Sequence, residues 1–175
     1  YFPQTFALGW SKDHLKAIEK IEAAVLKGGL FALAMPRGSG KTTLAEVASI
    51  WAILYGHHKF VALVASAAKR ARELLESIQV ELETNELLLE DFPEAVYPIH
   101  CLERIHNRAK GQLYEGEATR ITWTADRVVM PTIRQSAASG AVIRVEGIDG
   151  SIRGMKHKTA DGASIRPSLV VVDDP

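Results

Sequence analysis

Residues 30–43, LFALAMPRGSGKTT, restrict the possible folds more than any other stretch of the chain. Leu30 to Met35 is a short apolar run, read as a strand. Pro36 to Gly40 is a turn with two glycines. Lys41-Thr42-Thr43 opens an apolar-periodic run to about Tyr55, read as a helix. Strand, tight loop and helix form the context of a phosphate-binding loop. Glycines let backbone N–H groups turn inward, and the helix N-terminus adds partial positive charge, so such a loop holds anionic phosphates. Pro36, Arg37, Gly38, Ser39, Gly40, Lys41, Thr42 and Thr43 are then the candidate nucleotide contacts. Lys41 is expected to reach the β- and γ-phosphates of ATP, and the Thr42 hydroxyl to ligate Mg²⁺. The usual pattern is G-x-x-x-x-G-K-[ST]. Here Met35 stands in the first glycine position, and Ala34 is one residue out of register. The plainer alternative is a helix capped by a Gly-Ser-Gly turn, with a surface lysine.

A second stretch supports the first. Leu169-Val170-Val171-Val172-Asp173-Asp174 is four apolar residues followed by two carboxylates. It reads as a buried parallel strand ending in a Walker B site. Parallel strands carry their ligands at the carboxyl end. Asp173 is therefore expected near Lys41, holding Mg²⁺ through water. Asp174 falls where many ATPases place a glutamate that polarises the attacking water. The alternative is an exposed Asp-Asp-Pro turn after a core strand.

With 175 residues the chain can bury a core of its own. The net charge is +0, so no global basic field announces nucleic acid. A ring assembly can still hold DNA with a few basic residues per subunit. Cys101 is the only cysteine, which excludes a disulfide framework and fits a reducing cytosol. No apolar run approaches the ~18 residues of a membrane span, and no signal peptide is visible. The six histidines show no metal-ligand spacing. His57 and His58 fall at a helix end, where dipole contact suffices as explanation.

Residues 1–10 are aromatic-rich and aperiodic, and read as an extended arm. Leu15, Ile18, Ile21, Val25 and Leu26 recur at helical spacing, with Ser11 as N-cap and Gly28-Gly29 as stop. The domain division expected is 1–28, an arm and helix packing on the core, and 29–175, the core itself. FVALVA at 60–65 reads as a second buried strand, and Ser66 as the cap of the helix after it. Ala71, Leu74, Leu75, Ile78 and Leu82 form that helix's inner stripe. Short helices are expected at 86–90 and 99–108. Thr119–Thr124 and Arg127–Met130 are rich in β-formers, with a tight turn or a strand irregularity at Ala125-Asp126. AVIRVE at 141–146 alternates as a strand should. After it comes a Gly-rich loop of roughly 21 residues, a length that is usually functional or disordered.

MPRGSGKTT at 35–43, GSIRGMKHK at 150–158 and RPSLVVVDDP at 166–175 resemble the ATPase domain of the large terminase subunit of tailed bacteriophages. With the 60–66 and 141–147 strands, the similarity spans nearly the whole chain. The resemblance implies an α/β fold, with a mostly parallel central sheet flanked by helices in a RecA-like P-loop core. It implies ATP hydrolysis with Mg²⁺, driving double-stranded DNA into a procapsid. The implied partners are DNA, portal protein, the small terminase subunit and further copies of the chain in a ring, in the host cytoplasm. The chain begins at Tyr1 and stops just after the two carboxylates, so it is expected to be a piece of a longer protein. A nuclease domain is expected in the parent beyond these residues. Arg37 falls where related terminases carry a proposed cis-acting arginine finger. Gln4, Phe6, Trp10 and His14 are candidates for holding adenine, as N-terminal glutamine and aromatic residues do in the family. Asp174 departs from the usual Asp-Glu pair, so either the water is approached differently or the general base lies beyond Pro175.

Arg153, Lys156, His157 and Lys158 are candidates for DNA phosphates or a neighbouring subunit's nucleotide. A solvated loop is the competing account. Arg104, Arg108 and Lys110 form a weaker basic cluster. Three other functional readings remain. A helicase-type ATPase calls for an Asp-Glu-x-His or Asp-Glu-x-Asp box, absent here. A small-molecule kinase calls for a lid and an acceptor pocket. A nucleotide-binding module without turnover would serve assembly alone.

Overall fold

Three runs rich in β-branched residues become the centre of the sheet, because such side chains pack well on a pleated surface. The computed structural model describes residues 1–150 and 152–174, and only the backbone of Arg153. The elements, in order, are α1 (Lys12–Lys27), α2 (Lys41–Leu54), β1 (Phe60–Ala65), α3 (Ala68–Thr84), α4 (Glu86–Asp91) and α5 (Pro93–His100). A 3₁₀ turn at His106–Ala109 follows, then β2 (Leu113–Tyr114), β3 (Glu117–Ala118), β4 (Thr122–Trp123), β5 (Arg127–Val129) and β6 (Val142–Gly147). A second 3₁₀ turn at Ile152–Gly154 precedes β7 (His157–Lys158), β8 (Ser164–Ile165) and β9 (Leu169–Asp173).

The fold is mixed α/β, with a mostly parallel central sheet flanked by helices. Its strand order is β4-β5-β6-β1-β9. β1 is central and wholly buried, with β6 and β9 parallel on its two sides. β4 and β5 add an antiparallel hairpin at the far edge, turning tightly through Ala125-Asp126. Strand alternation sorts side chains to two faces. Val61, Leu63, Ile143, Val145, Leu169 and Val171 face the helices and join the main core. Phe60, Ala62, Val129 and Val142 face the other way, where Met155 and Ile165 from the 148–167 segment cover them. That segment, expected to be one long loop, contains the second 3₁₀ turn and the β7–β8 hairpin.

Several local expectations hold for the expected reasons. The Ser11 hydroxyl accepts the His14 N–H at 3.3 Å, and the Gly28 N–H closes α1 on the Ala24 carbonyl at 3.0 Å. The short helix expected at 86–90 is α4, capped by the Asn85 side chain. Gly147 ends β6 where a Cβ would stand 2.8 Å from the Ala68 backbone nitrogen, so α3 meets the strand only because nothing projects there.

Others require correction. Residues 30–35 form no strand; they run beside the outer edge of β9 without pairing. The run holds Leu, Ala, Met and one Phe but no β-branched residue, and Leu30, Phe31 and Ala32 are exposed, so little burial favours pairing. β9 is parallel as expected but is an edge strand, with Val170 49% and Val172 50% exposed instead of buried. The cap of α3 is Ala67, with no side-chain bond, rather than Ser66. The helix expected at 99–108 is divided between the end of α5, a turn and the 3₁₀ segment. His58 does more than sit at a helix end. Its Nε2 lies 2.9 Å from the Val25 carbonyl and its Nδ1 2.9 Å from the Ser168 hydroxyl, tying α1 to the start of β9.

Candidate functional site

The loop from Pro36 to Gly40 closes on itself through the Ser39 N–H, which donates to the Pro36 carbonyl at 3.3 Å. Gly38 and Gly40 both have positive φ, 78° and 77°, with open space where a Cβ would stand. Backbone conformation, not crowding, therefore demands glycine at these two positions. Gly40 caps α2 with no side-chain bond, so the first N–H groups of a 14-residue helix stand without a side-chain acceptor. The Ser39 hydroxyl is buried and has no hydrogen-bond partner among the described residues. Helix N–H groups without a side-chain acceptor, beside an orphaned hydroxyl, suit an oxyanion.

Three expected residues come together here. The Thr42 hydroxyl, in the first turn of α2, donates to the Asp173 carboxylate, at 2.9 Å to one oxygen and 3.2 Å to the other. Alternation along β9 explains the meeting: Leu169, Val171 and Asp173 point to the helix face. Asp173 is buried, yet no ion pair reaches it among the described residues. A buried carboxylate held by one hydroxyl is a natural seat for a cation. Lys41 donates from Nζ to the Met35 carbonyl at 3.0 Å, folded back over the loop. The position that departs from the glycine pattern thus supplies the backbone acceptor for the lysine.

Lys41 and Asp173 line one end of a cleft of about 710 Å³. Its walls are α1 at Ile21 and Val25, the 28–33 segment, α2 at Ala45 and Ala48, and the edge of β9. No cluster of three or more His, Cys, Asp or Glu residues that could hold a metal occurs among the described residues. A divalent ion at Thr42 and Asp173 would need phosphate oxygens and water to complete its shell, which is how Mg²⁺ is usually bound.

Other expected residues are placed less closely. The aromatic part of the arm lies beside the loop: Phe6 and Trp10 rings are 4.6 Å apart, and Trp10 and His14 rings 5.7 Å. His14 makes the connection, with Nε2 2.9 Å from the Ser39 carbonyl and Nδ1 2.7 Å from the Ser11 hydroxyl. Gln4 is exposed on the arm, without a hydrogen bond to the loop. Arg37 is exposed, and no ion pair engages it among the described residues. Thr43 is half-buried in the first turn of α2. Asp174 is exposed, just past the strand in a left-handed conformation with φ 43°. The Arg153 side chain and Pro175 lie outside the described residues. Arg104 and Arg108 each face a carboxylate, Glu83 and Glu103, so they do not form a free basic patch.

Two charged residues near the site are not assigned to it by the sequence: Glu46 is not singled out, and Arg70 reads as part of a solvated helix face. Glu46 lies one turn beyond Thr42 on α2. Burial pushes its carboxyl up to about 7, Asp173 and Glu81 add to the rise, and a hydrogen bond from Ser77 and the charge of Arg70 oppose it. Arg70, in the first turn of α3, pairs with Glu73 at 2.9 Å. That bond foremost holds its guanidinium above the ordinary value, with help from Glu73, Asp173 and Asp174 charge. The signal for Glu46 was an acidic residue four places after Thr42 in an otherwise apolar helix. Arg70 lies on the face of α3 that reads from sequence as solvated, and nothing local ties that face to the acidic strand end.

No family model, curated protein or solved structure matches the chain. No helix among the described residues is long and apolar enough to cross a membrane.

Proposed function

We propose that this chain binds ATP and Mg²⁺ between the 36–43 loop and the end of β9, as a RecA-like P-loop core. We further propose that it is the ATPase domain of a DNA-packaging motor of the large terminase type. The observation that carries the nucleotide reading is the Thr42–Asp173 hydrogen bond, which joins the loop helix to the acidic strand end across 131 residues of sequence. A capped helix with an unrelated Asp-Asp turn gives no reason for that pairing. The motor assignment rests on the resemblance at 35–43, 150–158 and 166–175. Double-stranded DNA, portal protein, the small terminase subunit, a ring of like subunits and a cytoplasmic setting enter with it.

In this reading the loop amides and the N-terminus of α2 hold the phosphates. Lys41 exchanges the Met35 carbonyl for the β- and γ-phosphates. Thr42 and Asp173 hold Mg²⁺, which neutralises phosphate charge when bound. Arg37, exposed within the loop, supplies a guanidinium to the γ-phosphate of its own subunit. Asp174 orients the attacking water, and Trp10 with Gln4 holds the base.

The test uses the full-length parent. Lys41→Ala should abolish ATP hydrolysis and DNA packaging while leaving the protein folded, as read by circular dichroism. Wild-type turnover in that variant would refute the nucleotide site. Turnover lost with no DNA-dependent activity in the wild-type parent would retain the site and refute the motor.

A further inference from the structure

On the sheet face away from the helices, β5 and β6 set two arginines directly opposite each other: Arg127 is the register partner of Arg144. Opposed positions in an antiparallel pair hold their Cβ atoms roughly 5 Å apart, and like charges there are destabilising. Both arginines are half-buried. Neither has an ion-pair partner among the described residues.

The surrounding charges do not relieve this. Asp126, next to Arg127, pairs with Arg72 of α3 at 2.6 Å. Glu146, two residues along β6 from Arg144, lies against Gly150. Lys59, before β1, donates to the carbonyls of Ala137 and Ser139 at 2.9 and 3.1 Å.

The β7–β8 hairpin closes over the same face. Ile165 packs on Phe60, Ala62, Val129 and Val142, and His157 is its register partner. His157 is half-buried, its Nδ1 is buried, and that nitrogen has no hydrogen-bond partner among the described residues. Burial first, and the charge of Arg127 second, hold the imidazole below its ordinary value. Lys156 and Lys158 stand exposed on either side of it.

We infer that Arg127, Arg144 and His157 form a binding site for a phosphate oxyanion. Two unpaired guanidinium forks match phosphate geometry, and each can donate two parallel hydrogen bonds. A bound dianion would offset the opposed charges and favour the imidazolium. The site lies on the opposite face of the sheet from Thr42 and Asp173, and it does not depend on the nucleotide reading. The shared chemistry is a phosphate oxyanion, free or in a nucleic-acid backbone, and the experiment separates these sources.

The chain carrying Lys41→Ala, so that the phosphate loop contributes least, is titrated with inorganic phosphate at constant ionic strength. The His157 imidazole is followed by NMR. Phosphate should shift the His157 resonance and raise its titration midpoint. Adding Arg127→Gln and Arg144→Gln should weaken that response at least roughly tenfold. The ligand-free double variant should melt no lower than its parent, because a like-charge contact has gone, and this guards against misfolding. Arg144→Lys keeps the charge but loses the fork, and should fall between. A short DNA duplex replaces phosphate in the second arm. If it produces the same His157 shift, with a salt slope lower by about two units in the double variant, the source is a phosphodiester backbone. If only inorganic phosphate acts, the ligand is a free anion. A His157 resonance unmoved by either probe overturns the site, as does a response undiminished in the double variant.

Discussion

Glu46 is where burial and charge conflict most clearly at the level of one residue. Its carboxyl is pushed up to about 7, foremost by burial, with Asp173 and Glu81 adding repulsion. The sign of the pH effect follows. The folded value lies above the unfolded one, so the stabilising contribution of the neutral form is complete below the unfolded value near 4.5. It is lost as pH rises through about 7. Glu46→Gln keeps the shape and removes the titration. The side chain is only partly buried, so solvent screening cuts the effect to about 1 kcal/mol. The variant should match the wild type at pH 4 in urea denaturation and exceed it by that amount at pH 8. Equal differences at both pH values would show that Glu46 does not titrate as described. The residue also shows how a site can hide in sequence. Thr42, Asp173 and Lys41 belong to known patterns, whereas Glu46 matters only because α3 covers it.

At the scale of elements, the sequence is most readable where the side chains have a shape of their own. FVALVA, VIRVEG and LVVVD are rich in β-branched residues and became β1, β6 and β9. α1 was legible from its periodicity and from Ser11 and Gly28, which do cap it. Residues 30–35 depart from the strand expectation because an apolar run without β-branched residues has little strand preference of its own. The pairs β2–β3 and β7–β8 are two residues per strand, too short for any period to show. The Ser39–His14 contact and the Arg127–Arg144 register are long-range consequences of packing, which no local pattern encodes. Hydrogen exchange tests the correction at 30–35. Amides of 30–34 should exchange at least about a hundredfold faster than those of 61–65, which pair within the buried centre of the sheet. Equal protection would mean that the segment does pair with β9.

At the scale of the whole molecule, the proposed nucleotide site is a junction of three distant parts. His14 on α1 touches the loop at Ser39, the loop opens α2, and Thr42 reaches Asp173 at the end of β9. A ligand seated there binds the folded chain and has no site in the unfolded one, so it should raise the melting temperature by mass action. At a hundred times the dissociation constant the stabilisation is about 2.7 kcal/mol. For a chain of this size that corresponds to roughly 5–10 °C. The metal should carry a separable share. Adding EDTA with ATP should leave only the part that loop amides and Lys41 provide. Asp173→Asn preserves an acceptor for the Thr42 hydroxyl, so the ligand-free protein should melt close to the wild type. Its melting temperature with ATP should no longer depend on Mg²⁺, because the buried charge that attracts the cation is gone. His14→Ala should act differently, reducing the shift with and without Mg²⁺ alike, since it loosens the loop without touching the metal ligands. Calorimetric melts of the three proteins, each with ATP and either Mg²⁺ or EDTA, distinguish these cases. An identical shift with Mg²⁺ and EDTA in the wild type would mean that Thr42 and Asp173 are paired for packing alone.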